Sequence, residues 1–195
     1  MGTLRIIAGR LRGRRLRIPS DAAFRPTSER VREALFNILG QDLSSFDVLD
    51  LCAGSGALGF EAISRGARRV VFVESDPKAA AVLRRSASDL GVEAETRVIV
   101  GRAEDVLDRG RLGGPFHVIL ADPPYGLTGE RRLVQGIDAG ALLGLHGTLV
   151  VERDKRDQPS PGSGELKLIR TSEYGRTALD FFKYLNPNPG VNSGH

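Results

Sequence analysis

The sequence predicts an α/β fold: a mostly parallel seven-stranded sheet with an antiparallel last strand, preceded by an N-terminal basic β-hairpin. Three observations predict it. From Phe46 onward, short β-branched runs alternate with stretches of helical periodicity, the pattern of a parallel sheet covered by helices on both faces. The first of those runs enters a glycine-rich turn, Gly54, Gly56 and Gly59, that opens a helix. The last two strand-like stretches are joined only by Ser172-Glu-Tyr-Gly175, short enough for a hairpin.

The chain has 195 residues, 41% hydrophobic and 27% charged, which suits one good core and leaves no room for a second large domain. A single cysteine, Cys52, excludes an internal disulfide framework and points to a reducing compartment. The sequence lacks a long apolar run or a signal-like N-terminus, so the expectation is a cytoplasmic protein with no membrane partner. The net charge of +4 is unevenly spread. Residues 1–32 hold nine arginines (Arg5, Arg10, Arg12, Arg14, Arg15, Arg17, Arg25, Arg30 and Arg32) against Asp21 and Glu29, a net +7, which leaves −3 for the other 163 residues. Such a segment suits a polyanionic partner, above all nucleic acid, and arginine reads phosphates and bases better than lysine does. The bland alternative is a solvated arginine face that binds nothing.

Taken in order, residues 4–18 alternate arginine with aliphatics around Gly9 and Gly13, predicting a hairpin with one apolar and one basic face. An isolated ribbon is marginal, so its apolar side should lean on the main domain. Pro19 and Pro26 mark loop. Thr27 or Ser28 caps a helix whose apolar stripe is Val31, Ala34, Leu35, Ile38 and Leu39, with Glu29 in its first turn and Gly40 at its end. Arg30 and Arg32 are expected to point away from that stripe. Strands follow at 46–51, 69–74, 96–100, 116–121 and 147–152, and helices at about 57–65, 77–90, 103–110 and 130–143. Residues 153–164 read as a mobile loop by composition. Two final strands, 165–171 and 176–185, precede a tail, 186–195, expected to be disordered.

In an open α/β sheet the ligand sits beyond the carboxyl ends of the strands, near the switch point. Four loops converge there: Asp50 to Gly59, Glu74 with Asp76, Gly101 to Asp105, and Asp122-Pro123-Pro124-Tyr125. Glu74 lies twenty residues after Gly54, the spacing of an acid that accepts from ribose hydroxyls. Gly54-x-Gly56-x-x-Gly59 alone fits a dinucleotide as well. Asp-Pro-Pro-Tyr is more specific. A carboxylate and a proline-loop carbonyl can accept both hydrogens of an exocyclic amine and orient its lone pair toward an electrophile. Prolines stiffen the loop, and Tyr125 offers a flat face to an unstacked base. The bland alternative is a proline-rich turn whose Asp122 caps the next helix. Cys52 reads as a small buried residue. His117, His146 and His195 show no metal-ligand spacing, and Asp138 and Glu152 show none for paired-carboxylate catalysis.

Asp50-Leu-Cys-Ala-Gly54-Ser-Gly56, Glu74 and Asp122-Pro-Pro-Tyr125 resemble the signature loops of Rossmann-like class I S-adenosylmethionine methyltransferases that act on amino nitrogens. More closely, Arg5-Ile-Ile-Ala-Gly-Arg with Arg12-Gly-Arg, Arg25-Pro-Thr with Arg30-Val-Arg-Glu33-Ala-Leu-Phe-Asn37, and Leu51 to Gly59 resemble the RsmD family, over about residues 4 to 185. That resemblance implies methyl transfer from S-adenosyl-L-methionine to guanine N2 of 16S rRNA, in a 30S subunit or assembly intermediate, by a monomer without metal. It implies an RNA-binding arm over 1–26 and a methyltransferase domain over 27–185. Asp50, Ala53, Gly54, Ser55 and Gly56 would hold the methionine part of the cofactor, Glu74 and Ser75 its ribose, Ala103 and Glu104 its adenine. Asp122 and Pro123, with Pro124, would hold the amino group and Tyr125 the base. Arg5, Arg10, Arg12, Arg14, Arg15, Arg25, Thr27, Arg30 and Arg32 would meet RNA. Other readings are methylation of another amino or amide nitrogen, such as a protein glutamine, and a non-catalytic RNA-binding assembly factor.

Overall fold

A computed structural model describes residues 4–18, 27–110, 112–123 and 127–185. Its centre is an eight-stranded sheet in the order β5-β4-β3-β6-β7-β10-β9-β8. The strands are β3 (Asp47–Leu51), β4 (Arg69–Glu74), β5 (Thr96–Val100), β6 (Phe116–Ala121), β7 (Leu143–Asp154), β8 (Gly162–Ser163), β9 (Leu166–Tyr174) and β10 (Thr177–Tyr184). β3 to β7 pair in parallel, while β10 lies antiparallel between β7 and β9. The chain steps outward from β3 to β4 and β5, then returns to place β6 on the other side of β3. That reversal makes the β3/β6 boundary the switch point, where the two loops part and leave a crevice.

Each central strand is apolar on both sides because helices cover both faces. On one face, α1 (Glu29–Leu39), α2 (Ala57–Ser64) and α3 (Pro77–Leu90) bury Leu35, Phe36, Phe60, Ile63 and Leu83 against Val48, Phe72, Leu120 and Val150. On the other, α4 (Ala103–Asp108) and α5 (Leu127–Ala139) bury Val106, Leu107, Val134 and Ile137 against Leu49, Val71, Ile119 and Val151. Of the two cap candidates for α1, Ser28 takes the role, its Oγ accepting from Val31 N at 3.3 Å. Asp76 caps α3 and Pro77 takes its first position.

At the N-terminus, β1 (Leu4–Arg5) and β2 (Arg15–Leu16) pair antiparallel for two residues each. The turn between them folds onto α2. Ile7 N and Ala8 N donate to the Glu61 carboxylate at 2.8 and 3.0 Å, Arg10 N donates to Ser64 O at 2.8 Å, and Leu11 N donates to Ser64 Oγ at 2.9 Å. Ile6, Leu11 and Leu16 are buried, as the apolar side of the hairpin requires.

Three expectations need correction. The sheet has eight strands, because Gly162 and Ser163 add a short one beside β9. The stretch 153–164 is not loose. Arg153, at the end of β7, forms a two-pronged bridge to buried Asp180 at 2.5 and 3.2 Å and also donates to the Asp157 carbonyl at 2.6 Å, while Ser160 N donates to buried Glu130 at 3.0 Å. Its polar composition is consumed internally. The final hairpin turns on Gly175 and Arg176 alone, since Tyr174 already pairs with Thr177. The expected tail, 186–195, lies outside the described residues. No helix among the described residues is long and apolar enough to cross a membrane.

Candidate active site

β3 ends at Leu51 beside Val73 of β4 and Ala121 of β6, so the loops after these strands emerge together. The backbone after β3 turns sharply: Cys52, Gly54 and Gly56 have φ of 60°, 54° and 72°. Glycine adopts this left-handed region without cost, whereas Cys52 holds it under strain, a condition that concentrates at functional loops. Gly56 is required for a further reason. A Cβ there would lie 2.5 Å from Leu83 Cδ2 and 2.8 Å from the Phe60 ring. At Gly59 it would lie 2.2 Å from Phe72 Cε1. These two glycines bring α2 onto its neighbours, so their place in the motif answers packing before it answers any ligand.

Acidic side chains converge on this turn. Asp50, buried near the end of β3, accepts from Gly59 N at 3.0 Å. Glu74, at the end of β4, accepts from Gly54 N at 2.7 Å through one oxygen, and from Asp76 N at 2.8 Å and Ser75 Oγ at 3.3 Å through the other. Asp122 follows β6, its N–H directed at Leu51 O at 3.4 Å. Ala103, buried, and Glu104 open α4, with Glu104 3.9 Å from Arg102. Ala53 is half-buried and Ser55 buried within the turn.

The electrostatics follow from that crowding. Burial, then the neighbouring Asp122 and Glu74, drive the Asp50 carboxyl well above the usual range. Burial pushes the Cys52 thiol up to about 12, helped by Asp122, Glu74, Glu104 and Asp50, so it is a neutral side chain and a poor nucleophile. Burial and the charge of Glu152 push Asp122 up to about 8. Glu152 is the residue that sequence reasoning missed. It sits near the end of β7, where Thr27 Oγ1 donates to it at 2.7 Å. Thr27 therefore faces a carboxylate of the site, a contact 125 residues away in sequence. Glu152 lies thirty residues from Asp122, and only the β6/β7 register brings them together.

The arginines do not all behave alike. Arg5, Arg12, Arg15 and Arg30 are exposed. Arg10 bridges to Glu95 at 2.5 Å, Arg14 donates to the Asp89 carbonyl at 2.6 Å, and Arg17 pairs with the Asp89 carboxylate. The basic loop is thus fastened over the end of α3. Arg32 contradicts expectation: it is 1% exposed, turned into the protein, and donates to Arg5 O at 2.9 Å. It braces the hairpin and presents nothing to RNA. Its long apolar stem lets it follow the α1 stripe inward. Arg25, Pro124 and Tyr125 lie outside the described residues. His117 serves the opposite end of the sheet, accepting from Asp47 N at 3.0 Å.

A cofactor that fits this cleft must tolerate acids. Asp50, Glu74, Glu104 and Asp122 all act on Cys52, and an oxygen of Asp50 already occupies an N–H in the first turn of α2. That N–H is one a pyrophosphate would use, which weighs against the dinucleotide reading of the glycine motif. A cationic sulfonium with an ammonium group and ribose hydroxyls suits the donor set, with Glu74 and Asp50 placed to accept. Among the described residues no group of three or more His, Cys, Asp or Glu side chains could hold a metal ion.

Known proteins agree with this geometry. The family model described as Conserved hypothetical protein 95 matches residues 4–183. Ribosomal RNA small subunit methyltransferase D of Haemophilus influenzae is 35% identical over 81% of this chain and 82% of its own length. The protein of the same name from Escherichia coli K12 is 39% identical over 64% of this chain and 61% of its own. The solved structure of yhhF from Escherichia coli superposes with a TM-score of 0.83 at 29% identity, covering 93% of this chain and 97% of that one. The glycine turn, the acid-lined cleft at the switch point and these matches agree: the chain belongs to the RsmD family, the family of Conserved hypothetical protein 95, whose members are S-adenosylmethionine-dependent methyltransferases.

Proposed function

We propose that the chain transfers the methyl group of S-adenosylmethionine to the exocyclic N2 of a guanine in small-subunit ribosomal RNA. The observation that carries the reading is the position of Asp122, beyond the end of β6 and across the switch point from the glycine turn. An amine held by Asp122 and the Pro123 carbonyl would face the region where Asp50, Glu74 and Glu104 receive the cofactor. Relatives named as small subunit rRNA methyltransferases support rRNA as the substrate class. The exposed arginines of the hairpin, above all Arg5, Arg12 and Arg15, support a polyanionic partner.

When bound, S-adenosylmethionine supplies an electrophilic methyl group on a positively charged sulfur. The chain's part is to desolvate and orient the amine, whose lone pair is otherwise delocalised into the base. Asp50, Ala53, Gly54, Ser55 and Gly56 would line the amino-acid end of the cofactor, Glu74 and Ser75 the ribose, and Ala103 and Glu104 the adenine. Pro124 and Tyr125 would complete the base pocket, and Arg10, Arg14, Arg25 and Arg30 would extend the RNA contact. The substrate would be a 30S subunit or assembly intermediate, engaged by a monomer.

The test is transfer of a labelled methyl group to unmodified 16S rRNA and to small subunits lacking the modification, with mass mapping of the product. Label on a single guanine N2 is expected. Label on protein, or on another base, would refute the assignment.

A further inference from the structure

Two carboxylates meet at the ends of neighbouring strands. β6 and β7 are parallel with Leu120 opposite Val150 and Ala121 opposite Val151. The next residues, Asp122 and Glu152, therefore emerge side by side. Side chains alternate along a strand, so both leave on the face of Leu120 and Val150, the one covered by α1 and α2. Glu152 is gripped from two directions. Thr27, just before α1, donates to its Oε2 at 2.7 Å, and Thr177, the first residue of β10, lies with Oγ1 3.5 Å from its Oε1. Hydroxyl donors favour the ionised carboxylate. Two half-buried carboxylates on adjacent strand ends do not both ionise readily, so the pair keeps a proton into the neutral range. Among the described residues, Asp50 and Cys52 at the end of β3 also feel the charge of Asp122.

We propose that Glu152 is a positioning residue for methyl transfer: held by Thr27 and Thr177 at the end of β7, its carboxylate stands beside Asp122 and readies it to accept the proton that the amine sheds on methylation. This rests on the reading that Asp122 holds the acceptor amine. The bond from nitrogen to the methyl carbon forms as the carbon–sulfur bond breaks, its electron pair going to sulfur. The nitrogen, then carrying a positive charge, gives one hydrogen as a proton to the Asp122 carboxylate, which becomes a neutral acid and releases that proton to water before the next turnover. An isolated aspartate titrates near 4 and is a weak acceptor, whereas a general base works best when its titration lies near the working pH.

The test uses the full chain and Glu152→Gln, which removes the charge while leaving an oxygen for Thr27. Carboxyl-carbon NMR titration without cofactor reads Asp122 directly, and its midpoint should fall by a unit or more in the variant. In the pH profile of kcat/KM with unmodified small-subunit rRNA, activity needs ionised Asp122, so it rises with pH through that titration. The rising limb should move to lower pH in Glu152→Gln, with a plateau kcat about tenfold lower because the base is weaker. Glu152→Asp should restore the limb, and S-adenosylmethionine affinity by calorimetry should stay within about twofold. An unmoved Asp122 midpoint or an unmoved limb overturns the role of Glu152, while the Asp122 reading survives if Asp122→Ala still abolishes transfer. Transfer by Asp122→Ala at the normal rate overturns both. Should Glu152→Gln fail to fold, Thr27→Val serves: losing that donor draws the shared proton toward Glu152, so the Asp122 midpoint must again fall, and an unchanged midpoint refutes the proposal.

Discussion

Replacing Gly9 with alanine should undock the basic hairpin while sparing the catalytic cleft. Gly9 has φ of +77°, and a Cβ there would stand 1.9 Å from the Ser64 carbonyl oxygen. Holding a non-glycine residue in the left-handed region costs about 1–2 kcal/mol. The overlap cannot be relieved by a rotamer, because the obstacle is backbone. The turn must lift, which breaks the Arg10 N to Ser64 O and Leu11 N to Ser64 Oγ bonds. Two such bonds contribute about 0.5–1.5 kcal/mol each. The sum is about 2–5 kcal/mol, enough to open a segment anchored on one helix but not the two-faced core beneath it. Hydrogen exchange is the assay. The amides of Ile7 and Ala8, bonded to Glu61, should exchange at least about thirtyfold faster, at about tenfold per 1.4 kcal/mol, while those of β3 and β6 stay protected. S-adenosylmethionine affinity should be unchanged and rRNA affinity lower. Unaltered protection at Ile7 and Ala8 would refute the account of how the hairpin is held.

Three further outcomes follow from the same geometry. Glu61→Ala removes the acceptor of two hairpin amides and the ion-pair partner of Arg65, 2% exposed and 2.9 Å away, which among the described residues keeps only Gln41 and the Phe36 ring; breaking a buried pair costs about 3–5 kcal/mol, so thermal unfolding should fall by about 6–20 °C for a chain of this size. Neutralising Arg10, Arg12 and Arg14 together should reduce the salt slope of rRNA binding by about 2, read from titrations at several ionic strengths; an identical slope would remove them from the interface. Without cofactor, stability should decline from pH 5.5 to pH 8. Asp50, Asp122 and Glu152 have folded-state titrations raised by burial, so the native state holds protons that the unfolded chain has given up, and the stability they lend disappears as pH rises toward the folded values. Melting temperatures should show the decline, and added S-adenosylmethionine should reduce it; Asp154, kept low by Arg156, has finished titrating below this window.

Much of the architecture is legible in the residues. The 69–74, 96–100 and 116–121 strands coincide with β4, β5 and β6 because those runs are rich in β-branched or aliphatic residues and bounded by polar turns, although β5, at the sheet edge, is not buried. The glycine turn announces itself by spacing. What is hidden depends on partners far along the chain. Glu152 has no local signature; its meaning comes from strand register with β6 and from a threonine before α1. Arg32 follows helical periodicity onto the surface only if the hairpin is ignored, and Arg5 O waiting above α1 reverses its direction. The 153–164 stretch looks unstructured by composition, yet Asp180, 27 residues past Arg153, fastens it. Gly56 and Gly59 stand in a motif whose spacing suggests a ligand, and the space their missing side chains leave is also taken by Leu83, Phe60 and Phe72. Local pattern reports backbone conformation well and long-range pairing poorly.

On the proposed function, the distribution of charge gives the exposed arginines and the cleft different tasks. Coulombic attraction between phosphates and exposed arginines acts over about 8 Å in physiological salt, long enough to draw RNA in but too diffuse to select a base. The cleft is opposite in sign: Glu74, Glu104 and the charge that Asp122 and Glu152 share repel a phosphate chain and admit a cation or an uncharged base. The same acids explain why Glu152 stays away from the cofactor loops. Placed beside Asp50 it would only add to a burden that the cationic cofactor must relieve. Placed beside Asp122 and steadied by Thr27 and Thr177, its charge acts on the one carboxylate that must hold a proton and then release it.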